Sequence, residues 1–212
     1  MHLFRTVKLS GPRRWKKAMP IGNASPAVYV RALRLVQVDP ESGWINADGL
    51  DPFLPHLRDF KNVEDLMLDG WVPSRLSEGE LKEYFGSFCG KLRLLFLKGE
   101  VTLDSLLGFL GIFTNLENLS IFGRIREEET TRVPTVSPKL SGRLMIECNG
   151  RTRTLLKTLC KLPLRFQNIS LAYCYWGCQE LIDACAETLV DFQAMSWDFR
   201  MYSPIRHLRM SI

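Results

Sequence analysis

Leu92-Arg93-Leu94-Leu95-Phe96-Leu97-Lys98-Gly99 and, 24 residues on, Leu116-Glu117-Asn118-Leu119-Ser120-Ile121-Phe122-Gly123 are one phrase written twice. Its spacing is apolar, two residues, apolar, one residue, apolar, and a glycine two residues later. The same spacing returns at Phe4-Val7-Leu9, Val30-Leu33-Leu35, Val63-Leu66-Leu68, Phe166-Ile169-Leu171 and Leu189-Phe192-Ala194. An eighth copy, Leu144-Ile146, has Ser141 at its leading position. Counted at the middle apolar residue, the steps are 26, 33, 29, 24, 25, 25 and 23 residues. A recurring period in this range decides architecture before any local reading does.

Within each phrase the last two apolar residues point to one side of a strand, because strand side chains alternate. Leu95 and Leu97 then face inward, while Leu94, Phe96 and Lys98 face out. Glycine stands at one offset in Gly11, Gly70, Gly99 and Gly123, where a positive φ would let the chain leave the strand sharply. Between phrases the period becomes helical. Leu50-Phe53-Leu54-Leu57, Leu81-Tyr84-Phe85-Phe88, Leu103-Leu106-Leu107-Leu110 and Cys178-Leu181-Ile182-Cys185 follow i, i+3, i+4, i+7. Arg153 to Leu162 is similar. Ser77 with Glu80 reads as a capping box, Pro52 and Pro55 fit a first helical turn, and Pro163 ends a helix. Strand, turn and helix returning to a parallel strand is the right-handed crossover unit. Each unit buries its apolar faces only against its neighbours. The expected fold is α/β: a solenoid or right-handed superhelix over 1–212, with about eight degenerate repeats. It would have a parallel sheet on its concave face and helices on its convex face.

Two segments break the rhythm. Asp39 to Gly49 lengthens one connection. Arg124 to Lys139, with three glutamates and two prolines, reads as a flexible loop replacing a helix. Ile205-Leu208-Met210 repeats part of the phrase after a short step, either as a terminal strand or as a frayed end.

The chain has 212 residues, 46% of them apolar, and a net charge of +5. No apolar run approaches the roughly 20 residues a membrane helix needs, and the opening residues lack the apolar region of a signal peptide. The expected compartment is cytoplasm or nucleus, where the six cysteines would stay reduced. The charge is uneven. Residues 1–38 hold eight basic and no acidic residues, leaving 20 basic and 23 acidic in the remainder.

This order of strand, glycine turn and helix resembles the leucine-rich repeat domains of F-box proteins, particularly those of mushroom-forming fungi. The resemblance is carried by Tyr29-Val30-Arg31-Ala32-Leu33-Arg34-Leu35, by Leu116-Glu117-Asn118-Leu119-Ser120-Ile121 and by the opening His2-Leu3-Phe4-Arg5-Thr6-Val7-Lys8-Leu9. It covers nearly the whole chain. In that family the F-box docks on the adaptor of a cullin-based ubiquitin ligase, and the repeats hold the protein to be ubiquitinated. No F-box fits before Phe4, so the resemblance implies the recognition half. Binding to a ligase adaptor would require a longer form.

No P-loop, HExxH or G-x-S-x-G appears. His2, His56 and His207 lie in unrelated contexts, which argues against an enzyme. Cys174 and Cys178 form one pair where a structural zinc needs four ligands, and Cys178 and Cys185 share an apolar helix face, so core thiols are expected and no metal or cofactor. Arg13, Arg14, Lys16 and Lys17 around Trp15 form a basic patch. It reads as a solvated helix or loop with Trp15 packed inward, or as a nuclear-targeting signal, a nucleic-acid contact or a dock for an acidic partner. The remaining candidate is the concave face: Arg34, Asp65, Met67, Asp69, Leu94, Phe96, Lys98, Asn118, Ser120, Phe122, Arg143 and Met145, continued by Glu147, Asn168 and Ser170. Met67, Leu94, Phe96 and Phe122 would make an exposed apolar centre inside a charged rim, open to another protein or covered by a neighbouring loop.

Overall fold

The computed structural model describes residues 5–10, 26–36, 45–46, 49–50, 54–70, 76–126, 138–149, 152–173, 177–195 and 208–211. Among them, nine strands form one sheet. They are β1 (Thr6–Ser10), β2 (Ala32–Val36), β3 (Asp65–Asp69), β4 (Leu94–Thr102), β5 (Asn115–Arg126), β6 (Lys139–Asn149), β7 (Leu164–Ala172), β8 (Asp191–Met195) and β9 (Leu208–Ser211). Their order in the sheet is their order in the chain. β1 through β8 pair in parallel, and β9 pairs antiparallel with β8. The tail is therefore a terminal strand from Leu208, running opposite to the rest, and not a ninth parallel copy.

The repeated phrase sets the register. Val7, Leu33, Leu66, Leu95, Leu119, Leu144, Ile169 and Phe192 stand side by side across eight strands. Leu9, Leu35, Leu68, Leu97, Ile121, Ile146, Leu171 and Ala194 form the second row. All are buried except Val7 and Ala194, which are half-buried against the core. A parallel pair needs a long crossover. α1 (Glu78–Phe85), α2 (Leu103–Leu110), α3 (Thr152–Leu159) and α4 (Cys178–Ala184) occupy four of these connections. Their apolar faces and the two rows form a single buried cluster. Phe109 makes edge contacts with Phe85 and Phe113, each at 5.0 Å between ring centres.

The helix ends follow their sequence signals. Ser77 Oγ accepts from the Glu80 N–H at 3.3 Å, and Glu80 Oε2 accepts from the Ser77 N–H at 2.7 Å, which closes the capping box. The expected helix through Leu50-Phe53-Leu54-Leu57 is instead a 3₁₀ segment, Leu54–Asp59. Leu54, Leu57 and Phe60 are fully buried at a spacing of three, the period at which 3₁₀ side chains eclipse. Gly49–Leu50 forms a short hairpin with Ile45–Asn46, and Pro52 and Phe53 lie outside the described residues. Arg153 to Leu162 is helical only from Thr152 to Leu159, and the chain then turns toward Pro163.

Glycine behaves partly as expected. Gly70, Gly99 and Gly123 have φ of 76°, 149° and 116°, and Gly11 lies outside the described residues. At Gly99 and Gly123 the chain does not leave the sheet. Pairing continues through Thr102 and Arg126. The loop expected over 124–139 is correspondingly shorter at both ends, since Arg124–Arg126 belong to β5 and Lys139 begins β6. Residues 127–137 lie outside the described set.

The eighth copy has not lost its leading residue. Leu140 is fully buried opposite Leu116, four residues before Leu144 where the other copies use three. Against β5 the extra residue is absorbed between Leu140 and Arg143, where two residues of β6 stand against Glu117, and against β7 the register shifts again between Gly142 and Arg143, with Gln167 left over. Gly142 has φ of 69°, and a Cβ there would lie 2.2 Å from the Glu117 carbonyl oxygen, so this bulge admits no side chain.

Candidate functional site

Residues that alternate with the two buried rows stand on the opposite face of the sheet in three rows of their own. Arg34, Met67, Phe96, Ser120, Met145 and Ser170 are lateral neighbours, as are Asp65, Leu94, Asn118, Arg143 and Asn168, and also Asp69, Lys98, Phe122 and Glu147. The sheet thus brings every expected contact residue onto one face.

The apolar centre is less open than expected. Met67, Leu94, Phe96 and Phe122 are half-buried. Phe96 and Phe122 stack with ring centres 4.8 Å apart and planes 26° apart. They lie on a diagonal of adjacent strands, within reach of large side chains. Arg34 Nε donates to Met67 Sδ. The rim charges partly neutralise one another, with Lys98 Nζ 3.4 Å from Asp69 Oδ1. Burial pushes the Asp65 carboxyl up, helped by Glu64 and opposed by Arg5. Past Gly99, Arg126 grips Glu100 with two hydrogen bonds of 2.6 and 3.0 Å. These bonds hold the Glu100 carboxyl below its ordinary range.

On β6 to β8 the face changes character. Asn118, Gly142, Arg143, Gln167, Asn168, Ser170 and Gln193 line a polar groove of about 720 Å³. A second groove of about 720 Å³ opens at the strand entries, along Lys91, Arg93, Glu117, Lys139, Ser141 and Arg165. Sequence reasoning missed both. The signal was the third residue between Leu140 and Leu144, where the other copies have two, the mark of the bulge beside which both grooves lie.

The basic patch Arg13, Arg14, Lys16 and Lys17 lies outside the described residues, as do His2, His207 and Cys174. His56 Nδ1 sits 3.6 Å from Asp59 Oδ2 on the 3₁₀ segment. Cys148 and Cys185 are buried, and Cys89, Cys160 and Cys178 are half-buried. Burial pushes the Cys160 thiol up to about 11, with Cys185 and Glu180 adding to it, and also raises Cys178 and Cys185. A thiol without its thiolate is a poor nucleophile and a poor metal ligand. Among the described residues no helix is long and apolar enough to cross a membrane. Compared with known proteins, the chain matches no family model, no curated sequence and no solved structure.

Proposed function

We propose that this chain is a leucine-rich repeat solenoid that acts as a non-enzymatic protein-binding module, of the kind that selects substrates in F-box-type ubiquitin ligases. The in-order parallel strands, the aligned leucine rows and the positive-φ glycines support the solenoid reading. The observation that carries the binding reading is the Phe96–Phe122 stack beside Met67 and Leu94, a half-exposed apolar patch edged by Asp69 and Lys98. Aromatic anchors in an apolar centre concentrate binding energy, and rim charges orient the partner. The F-box link comes from the sequence resemblance.

The test is affinity capture with the double variant Met67→Ala/Phe96→Ala, beside Lys157→Ala on the exposed side of α3. Partners held by the wild type and by Lys157→Ala should be lost by the double variant, with unchanged circular dichroism. Undiminished capture by the double variant refutes the assignment.

A second reading rests on the basic edge of the sheet, where Arg5, Lys8, Arg31 and Arg34 are exposed. It takes the chain as nuclear or nucleic-acid-associated, and it predicts binding that weakens steeply with salt. Salt-insensitive binding would remove it.

A further inference from the structure

The groove at the entries to β4–β7 lies apart from the Phe96–Phe122 patch, and its chemistry goes beyond the reading above. Successive strand entries carry Arg31, Glu64, Arg93 and Glu117, joined by backbone hydrogen bonds of 2.8 Å from Glu64 to Arg31, Arg93 to Glu64 and Glu117 to Arg93. Their side chains pair in turn, Arg31 with Glu64 at 2.7 Å and Arg93 with Glu117 at 3.3 Å. Charge therefore alternates from strand to strand. The alternation breaks at Ser141, whose hydroxyl donates to the Leu116 carbonyl at 3.5 Å. Arg165 stands opposite Ser141 in the ladder, where the pattern would place a carboxylate. Lys139, two residues before Ser141, lines the same groove. Among the described residues neither the Arg165 guanidinium nor the Lys139 ammonium has an ion pair or hydrogen bond. Among the described residues Lys91 is held by neutral oxygens of Lys61 and Asn62. The carboxylates of the lining, Glu64 and Glu117, are both taken by arginines.

We propose that this groove binds an acidic peptide segment whose carboxylates pair with Arg165 and Lys139, the two cations that the ladder leaves without a carboxylate partner. Residues i and i+2 of an extended segment point the same way, about 6.6 Å apart, and neighbouring strands at about 4.8 Å put Arg165 and Lys139 on a comparable scale. Arginine takes a carboxylate through two parallel N–H donors. A nucleic-acid strand fits less well, because Glu117 sits between Arg93 and Arg165 in the path of a continuous phosphate chain.

The test is fluorescence polarisation of the full chain with a fluorescein-labelled peptide of alternating glutamate and alanine. Saturable binding that weakens with added salt is expected. Lys139→Ala/Arg165→Ala should lose about tenfold or more in affinity. Ser141→Glu, which sets an internal carboxylate opposite Arg165, should abolish binding. Met67→Ala/Phe96→Ala should leave it unchanged. The proposal falls if the glutamate peptide does not bind, or if a peptide with glutamine for glutamate binds equally well. It also falls if Ser141→Glu keeps full affinity, if Met67→Ala/Phe96→Ala loses the peptide, or if a single-stranded DNA of equal charge binds more tightly.

Discussion

The two halves of the sheet solve the same packing problem differently. From β3 to β5 the register runs unbroken, the core beneath is aromatic (Phe85, Phe88, Phe109, Phe113), and the outer face carries Met67, Leu94, Phe96 and Phe122. From β6 to β8 the register shifts at Gly142, the thiols of Cys148, Cys160 and Cys185 take part in or abut the core, and the outer face carries amides, hydroxyls, Arg143 and Glu147, with Met145 among them. Regular stacking leaves a smooth face that apolar side chains can cover. A one-residue irregularity opens grooves whose linings are rich in polar and charged groups. The difference teaches that one proposed site lies where the repeat is best kept and the other where it slips.

The sharpest way to break this comparison is to remove the aromatic anchor of the regular half. Phe109→Ala should cost about 3–5 kcal/mol, whereas Ile146→Val in the bulged half should cost about 0.5–1.5 kcal/mol. Urea unfolding of both variants checks it, and equal losses would erase the distinction. Next is the buried thiol of the irregular half. A pKa raised from 9.0 to about 11 leaves Cys160 with about a hundredfold less thiolate at neutral pH. Iodoacetamide at pH 8 should therefore modify it far more slowly in the folded chain than in denaturant, as peptide mass mapping would show.

The bulge itself comes third. Gly142→Ala places a side chain against the Glu117 carbonyl at positive φ and should cost about 1–3 kcal/mol. Deleting Gly142 instead restores the three-residue spacing from Leu140, so the deletion should unfold at a temperature closer to wild type than Gly142→Ala does. The smallest effect lies at the cap of α1. Ser77→Ala should cost about 1 kcal/mol. Its hydrogen bonds hold the Glu80 carboxyl below the usual 4.5, so this contribution is whole at neutral pH and lost as pH falls through the lowered value. The gap in unfolding temperature between wild type and Glu80→Gln should accordingly shrink toward pH 3.

The strands were legible because the rows Leu66-Leu95-Leu119 and Leu68-Leu97-Ile121 are each held by a side chain that must be apolar. The helix starts were legible at Ser77, where capping chemistry is local. The 3₁₀ segment was not, since Leu54 and Leu57 satisfy both a spacing of three and the i, i+3 of an α-helix. The bulge escaped because Leu140 stands one residue early and Ser141 occupies the expected place. The candidate site was half legible. Alternation assigned its residues to one face, but the stacking that half-buries Phe96 and Phe122 depends on how neighbouring strands are staggered, and the gap in the charge ladder appears only once Arg165 is known to face Ser141.

The reversed direction of β9 bears on how such a chain could change length. A further parallel strand cannot join β8 on the side that β9 occupies. Duplicated units would therefore have to enter between existing ones or beyond β1, and the basic margin at β1 would become interior in the second case.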